Sequence, residues 1–267
     1  MMDGVVKIIT MVYDIGRYSE AELLEVFDVF YNSLTRFVPA FHVFCYTNLP
    51  EMAVARPNVT IFRHYEQNFE RKYTNDWNNL SFNRLLIARN HLADGAMWLD
   101  LDSIVCTDLS YTLPFRNFVV RYNLDILNKL SIEGQVFHGR DYFLGHLWKM
   151  DHTALQHLLE LAAATKTLPP YDVQDYVTLL YARAPHLLTV LNDVTIPVVN
   201  WEWSYDHPYP DRIRGAIRLC DGRLVTATGR PFGVLTFTFP SLLANLRANW
   251  HTLEDLGARE LLRNLSG

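Results

Sequence analysis

Asp100 and Asp102 are the residues of this chain best placed to do chemistry. They close the apolar run Ala96-Met97-Trp98-Leu99 and precede a second apolar pair, Ile104-Val105. A buried strand that ends in Asp-x-Asp brings two carboxylates to the mouth of a sheet, where open α/β sheets bind their ligands. Alternate residues of a strand share a face, so the spacing predicts that both carboxylates point the same way. Like charges this close repel unless a cation neutralises them. Mg²⁺ and Mn²⁺ prefer such oxygen ligands, and they in turn hold diphosphates. The expected chemistry is therefore metal-assisted handling of a phosphorylated or nucleotide-linked substrate. The competing reading is a solvated strand end with helix-capping acids. The apolar lead-in and the helical pattern before it favour the metal site.

The rest of the composition narrows the class. The chain has 267 residues, 49% of them hydrophobic, enough for one large core or two small ones. A net charge of -5 and a pI near 6.0 give no general attraction to nucleic acid or anionic lipid. Arg outnumbers Lys, which suits bidentate phosphate contacts as well as ordinary surface pairs. Cys45, Cys106 and Cys220 are far apart and fit no zinc spacing, so reduced thiols in the cytoplasm are expected. The N-terminal run Val5 to Val12 contains Lys7 and reads as a strand rather than a signal peptide. No stretch approaches the roughly 20 apolar residues of a transmembrane segment, so a protein that is soluble or peripheral to a membrane is expected.

The elements that must position the acids alternate in the first half. Val5 to Tyr13 is a β-branched run. Ser19 and Glu22 form a capping box for a helix whose stripe is Leu23, Phe27, Phe30, Leu34 and Phe37. Strands follow at Phe41 to Thr47 and Val59 to Tyr65, a helix at Leu80 to Leu92, and a fourth strand at Ala96 to Asp102. This order predicts an α/β protein with a mostly parallel central sheet flanked by helices. The second half is more mixed. Strands are expected at Gln135 to His138 and Tyr142 to Lys149, and Val194 to Trp203 and Arg218 to Thr228 read as extended. Helices are expected after Asp151, through Val173 to Ala182 and over Ser241 to Leu265. No repeat or convincing linker divides the chain, so residues 1–267 read as one domain with two subregions.

These segments carry a resemblance. Trp98-Leu99-Asp100-Leu101-Asp102-Ser103-Ile104-Val105 with Thr107-Asp108-Leu109 resembles the DXD segment of GT-A-fold glycosyltransferases, in particular bacterial and viral sugar transferases. Ser81-Phe82-Asn83-Arg84-Leu85-Leu86 resembles the helix that leads into that strand. Val12-Tyr13-Asp14-Ile15-Gly16-Arg17 resembles the end of the first strand, where these enzymes hold the nucleotide. Phe143-Leu144-Gly145-His146-Leu147-Trp148 resembles their Gly-containing acceptor-side strand, and Asp172-Val173-Gln174-Asp175 their Gln-Asp segment. The likeness covers residues 5–182, and the order of the segments is its stronger part.

The resemblance implies a GT-A-like, Rossmann-like fold. Its nucleotide-binding half would span about residues 1–110 and a smaller, mixed acceptor-binding half about residues 111–267. It also implies transfer of a sugar from a nucleotide-sugar donor, expected to be UDP-linked, to a glycan or glycoconjugate acceptor. Asp100 and Asp102 would bind Mn²⁺ or Mg²⁺, with Asp102 the firmer ligand and Asp100 free to contact the ribose instead. Tyr13 would stack on the base. Asp14 belongs to the same nucleotide-holding turn, Arg17 would contact a phosphate, and Arg84 would reach ribose or phosphates. Asp175, or Asp172 in competition with it, would position the sugar or act as base, although Asp172 also suits a helix N-cap. The family often takes a third metal ligand from a C-terminal His. This chain shows no clear version of that pattern, and His207 and His251 are the candidates, with water as the alternative. Trp201 to Tyr205 would suit an acceptor platform or a buried sheet edge.

Other classes make different demands. A haloacid-dehalogenase-type phosphatase would use Asp100 and Asp102 as nucleophile and acid, but expects them after its first strand. A nucleotide-sugar pyrophosphorylase wants a Gly-rich basic loop, where this chain has one Gly in Asp14-Ile15-Gly16-Arg17. A non-catalytic sugar-nucleotide-binding module would keep the fold without turnover.

Overall fold

The computed structural model describes residues 4–16, 18–53, 56–64, 70, 72–73, 76–121, 130–132, 134–137, 143–165, 173–191, 199–203, 217–220, 223–226 and 229–237. The first half alternates as the patterning predicts: β1 (Val6–Val12), α1 (Glu20–Phe37), β2 (Phe41–Thr47), β3 (Val59–Arg63), α2 (Asp76–Asn90) and β4 (Met97–Leu99). The chain continues through β5 (Ser103–Val105), β6 (Phe118–Arg121), β7 (Leu130–Ile132), β8 (Gln135–Phe137), β9 (Phe143–Lys149), α3 (His152–Ala164) and α4 (Val173–Arg183). It then forms β10 (Val199–Trp203), β11 (Ile217–Cys220), β12 (Arg223–Thr226) and β13 (Phe232–Phe237).

Six strands form the central sheet in the order β3-β2-β1-β4-β9-β6. The first four run parallel, and β9 is antiparallel to both β4 and β6. The mostly parallel α/β architecture expected from the sequence is therefore present. A second sheet orders β10-β13-β5.

Helix α1 forms where the stripe predicted it. Ser19 accepts from Glu22 N–H while the Glu22 carboxylate accepts from Ser19 N–H, a closed capping box. Leu23, Phe27, Phe30 and Leu34 are buried against Val6, Ile8 and Val12 of β1, the residues of one sheet face. The other face of β1, Ile9 and Met11, packs under α2, α3 and α4 with Trp98, Phe143 and Trp148.

Asparagines fasten the segments around the sheet's upper edge. Asn48 Oδ1 accepts from Asp14 N–H at 2.9 Å while its Nδ2 donates to Asp14 O at 2.8 Å. Asn79 treats the backbone of Tyr73 the same way, at 2.7 and 2.8 Å, and Asn83 that of Glu70, at 3.1 and 3.0 Å. Each side-chain amide imitates a neighbouring strand, pairing the donor and the acceptor of one residue.

One expectation needs correction. The fourth strand does not run from Ala96 to Asp102: β4 stops at Leu99, and Leu101 and Asp102 form a turn. Beyond it the chain leaves the central sheet, because β5 pairs with β13 and Val105 N–H is taken by Ser33 Oγ of α1 at 3.0 Å. The extended reading of Arg218 to Thr228 meets two strands, β11 and β12, paired antiparallel. The expected C-terminal helix over 241–265 lies outside the described residues. Cys45 and Cys106 are free and buried, and burial pushes both thiols up to about 12; Cys220 is exposed. Among the described residues no helix is long and apolar enough to cross a membrane.

Candidate active site

The site forms where β4 ends between a parallel and an antiparallel neighbour. Trp98 pairs with Trp148 and Leu99 with Leu147. One residue further, Asp100 N–H donates to His146 O at 2.9 Å, so the pairing runs one step past the strand. The turn at Leu101 then returns Asp102 to the same place. Each acid is only 7% exposed, which matters because two buried carboxylates need compensating positive charge.

Asp100 has strong donors. Its Oδ1 accepts from the Trp98 indole Nε1 at 2.6 Å. Its Oδ2 accepts from Arg84 Nη1 at 3.1 Å and from His146 Nδ1 at 2.7 Å. Burial would raise the Asp100 carboxyl, but the Arg84 guanidinium, the His146 ring and the Trp98 indole together hold it below its ordinary 3.8. Arg84 projects from α2, and its guanidinium also lies over the Trp98 ring, 5.8 Å from the centroid.

Asp100, Asp102 and His146 each bring one ligand atom to within 4.8 Å of the others. Two carboxylates held beside an imidazole offer oxygen ligands that Mn²⁺ or Mg²⁺ fits, with waters or a substrate diphosphate to complete six-coordination. The expectation of a metal cluster at Asp100 and Asp102 therefore meets a suitable arrangement. The structure joins the acids through a turn, however, not through a shared strand face.

His146 is the residue that sequence reasoning missed. The resemblance points to a C-terminal His as a further metal ligand, and both candidates, His207 and His251, lie outside the described residues. The signal was a mirrored spacing: Trp98-x-Asp100 on one strand and His146-x-Trp148 on the other. Antiparallel pairing of the tryptophans brings Asp100 and His146 opposite each other.

Gly145 and Gln174 complete this side. A Cβ at Gly145 would sit 2.7 Å from Gln174 Cγ, so the glycine lets α4 close on β9. Gln174 Nε2 thereby comes within 3.5 Å of His146 Nε2. Asp175 is fully buried in the first turn of α4; Asp172 lies outside the described residues.

The nucleotide-side candidates lie at the end of β1. Tyr13 is buried, with its ring edge-on to His64 at 5.8 Å. The Asp14 carboxylate accepts from Gly16 N–H at 2.6 Å and shapes the turn, in which Gly16 adopts φ 77°. Arg17 lies outside the described residues. So does the 201–205 platform, apart from the β10 backbone.

No protein-family model matches this sequence, and neither does any curated protein. Solved structures do match. The apo structure of WbbM, a bifunctional glycosyltransferase, superposes with a TM-score of 0.56 at 13% identity, over 88% of this chain and 46% of that one. The chain thus spans less than half the length of WbbM. The apo form of mouse xyloside xylosyltransferase 1 gives 0.54 at 12% identity, over 87% of this chain and 97% of that one. With β4 ending in its acid pair at the centre of the sheet, the protein has the GT-A-like α/β fold of glycosyltransferases.

Proposed function

We propose that this protein is a metal-dependent glycosyltransferase that moves a sugar from a nucleotide-sugar donor, UDP-linked in our reading, to a glycan or glycoconjugate acceptor. The observation that carries the reading is the buried cluster of Asp100, Asp102 and His146 at the end of β4 in this fold. Mn²⁺ or Mg²⁺ held there would supply a Lewis acid for the departing nucleoside diphosphate. Asp102 is the firmer ligand in this reading, and Asp100, which receives donors from Arg84, His146 and Trp98, is free to contact the ribose instead. Arg84 adds fixed positive charge beside the same place, where negative charge would develop. Tyr13, Asp14 and Arg17 are our nucleotide-side residues, and His207 or water our further metal ligand. Asp175 positions the sugar in this reading. Its complete burial favours that role over direct proton acceptance, which needs reach to the acceptor hydroxyl. Asp172 is then the candidate base.

The phosphatase alternative expects its acids after the first strand, whereas here they follow the fourth. A binding module would hold the nucleotide without turnover. Donor hydrolysis and transfer with UDP-, GDP-, CDP- and dTDP-sugars, each with and without Mn²⁺, separate the readings. Asp102→Ala is expected to lower metal-dependent turnover by about 100-fold or more while the far-UV circular dichroism stays native. Full activity in that variant overturns the proposal. Thermal stabilisation by a nucleoside diphosphate that requires both Mn²⁺ and Asp102 would name the donor class.

A further inference from the structure

We infer that His146 is a positioning residue for Asp100, donating its Nδ1 proton to the carboxylate and so deciding which face of Asp100 is presented to a cation, with Gln174 holding the ring. The inference deepens the metal-dependent reading above and rests on it for the cation alone. Three observations converge on it.

The pairing is built into the backbone. Asp100 N–H donates to His146 O at 2.9 Å, and His146 Nδ1 lies 2.7 Å from Asp100 Oδ2. The two contacts close a ring across the β4 and β9 ends: the backbone bond sets Asp100 opposite His146, and the side-chain contact then joins the pair.

The opposite edge of the imidazole is also engaged. Gln174 Nε2 lies 3.5 Å from His146 Nε2, and an amide N–H directed there needs a lone pair on that nitrogen. That requirement selects the tautomer with the proton on Nδ1, which is the one that can donate to Asp100. Gly145 is what admits Gln174 to this position, since any Cβ there would meet Gln174 Cγ at 2.7 Å.

The oxygen that His146 contacts is turned toward the protein. Asp100 Oδ2 also accepts from Arg84 at 3.1 Å, and a divalent ion on the same oxygen would face a guanidinium a few ångström away. A cation is left with Asp102 and with the Oδ1 side of Asp100, where Trp98 supplies one donor. On this account His146 works through Asp100 and stays off the metal, as the carboxylate partners of metal-binding groups do in reverse.

The test has two arms. The first is ¹⁵N NMR of the His146 ring in metal-free protein, assigned by comparison with His146→Asn. The Nδ1–H tautomer is expected, and Gln174→Leu should shift it toward a tautomer mixture. An Nε2–H ring in the wild type overturns the inference. The second is Mn²⁺ titration followed by electron paramagnetic resonance, with UDP present. His146→Ala should weaken Mn²⁺ binding by about 10-fold or more, and His146→Asn, whose amide can donate from near the Nδ1 position, should recover most of it. Unchanged affinity in His146→Ala overturns the inference. So does an imidazole-nitrogen coupling to bound Mn²⁺ that disappears in His146→Asn, which would make His146 a ligand. If His146→Ala does not fold, His146→Asn and Gln174→Leu carry both readouts. A wild type with the Nδ1–H tautomer that binds no Mn²⁺ with any nucleoside diphosphate supports the positioning role and sinks the transferase reading instead.

Discussion

The two faces of the central sheet are built from different materials. On one, α1 buries Leu23, Val26, Phe27, Val29, Phe30 and Leu34, with Ser33 its one buried polar residue. On the other, α2 buries Asn78, Asn79, Ser81 and Asn83 among Leu80, Phe82, Leu85 and Ile87, and near it lie Asp100, Asp175, Thr178 and His91, so polar groups are set into an apolar layer. An apolar face gains its stability from burial alone and tolerates no special geometry. A polar face is stable only when every donor and acceptor is matched, and that demand fixes directions as well as contacts. The first face is a scaffold for the second, and the chemistry stands on the face that pays in specificity.

Substitutions on the two faces should therefore differ in kind. Phe30→Ala should cost about 3–5 kcal/mol of stability in denaturant unfolding and leave the Mn²⁺ affinity of the folded fraction unchanged. Arg84→Met should cost a similar amount, about 3–5 kcal/mol, because it leaves Asp100 buried with its one permanently charged partner gone. Unlike Phe30→Ala, it should also lower turnover in molecules that remain folded. Equal behaviour of the two variants would erase the distinction between the faces.

A smaller effect is expected within the polar face. Asn83→Leu removes the partners of Glu70 N–H and Glu70 O, and should cost about 1–3 kcal/mol. Hydrogen exchange should show the loss concentrated at residue 70 and the start of α2, with β1 and β2 unchanged.

The smallest is a pH dependence. Asp100 sits below its ordinary 3.8 in the folded protein, so the unfolded chain binds its proton first as the solution is acidified. The associated stability is complete above about pH 4 and is lost as pH falls through the lower folded-state value. Arg84→Met removes a main cause of that depression. Its acid unfolding, followed by tryptophan fluorescence, should begin at higher pH than that of the wild type.

The contrast between the faces also explains what could be read from the sequence. Helix α1 was legible residue by residue, because an apolar stripe and a capping box are both written in residue type. Helix α2 was expected to begin at Leu80 and begins at Asp76, because its buried face includes Asn79 and Asn83, which break the apolar period. Strands β5, β6, β7 and β13 were not anticipated: β5 and β7 have three residues each, and β13 finds its partner β5 about 130 residues away by a pairing that no local pattern encodes. At the site, Asp100, Asp102 and Arg84 were legible from spacing and resemblance. His146 was not, since its part depends on cross-strand register, visible only in the mirrored tryptophan spacing. The roles of Arg17, Asp172 and His207 rest on the resemblance alone.

Asn48, Asn79 and Asn83 grip Asp14, Tyr73 and Glu70 by their main-chain atoms only. A clasp of that kind is blind to what the held residue carries. The side chain at position 70 could be exchanged by mutation while the peptide stayed fastened in place, whereas Tyr73 is also held by its ring, edge-on to Phe82, and by its hydroxyl on that of Tyr176. Residue 70 is thus an interchangeable fitting on a fixed bracket, and a lineage could change its side chain without rebuilding the sheet beneath.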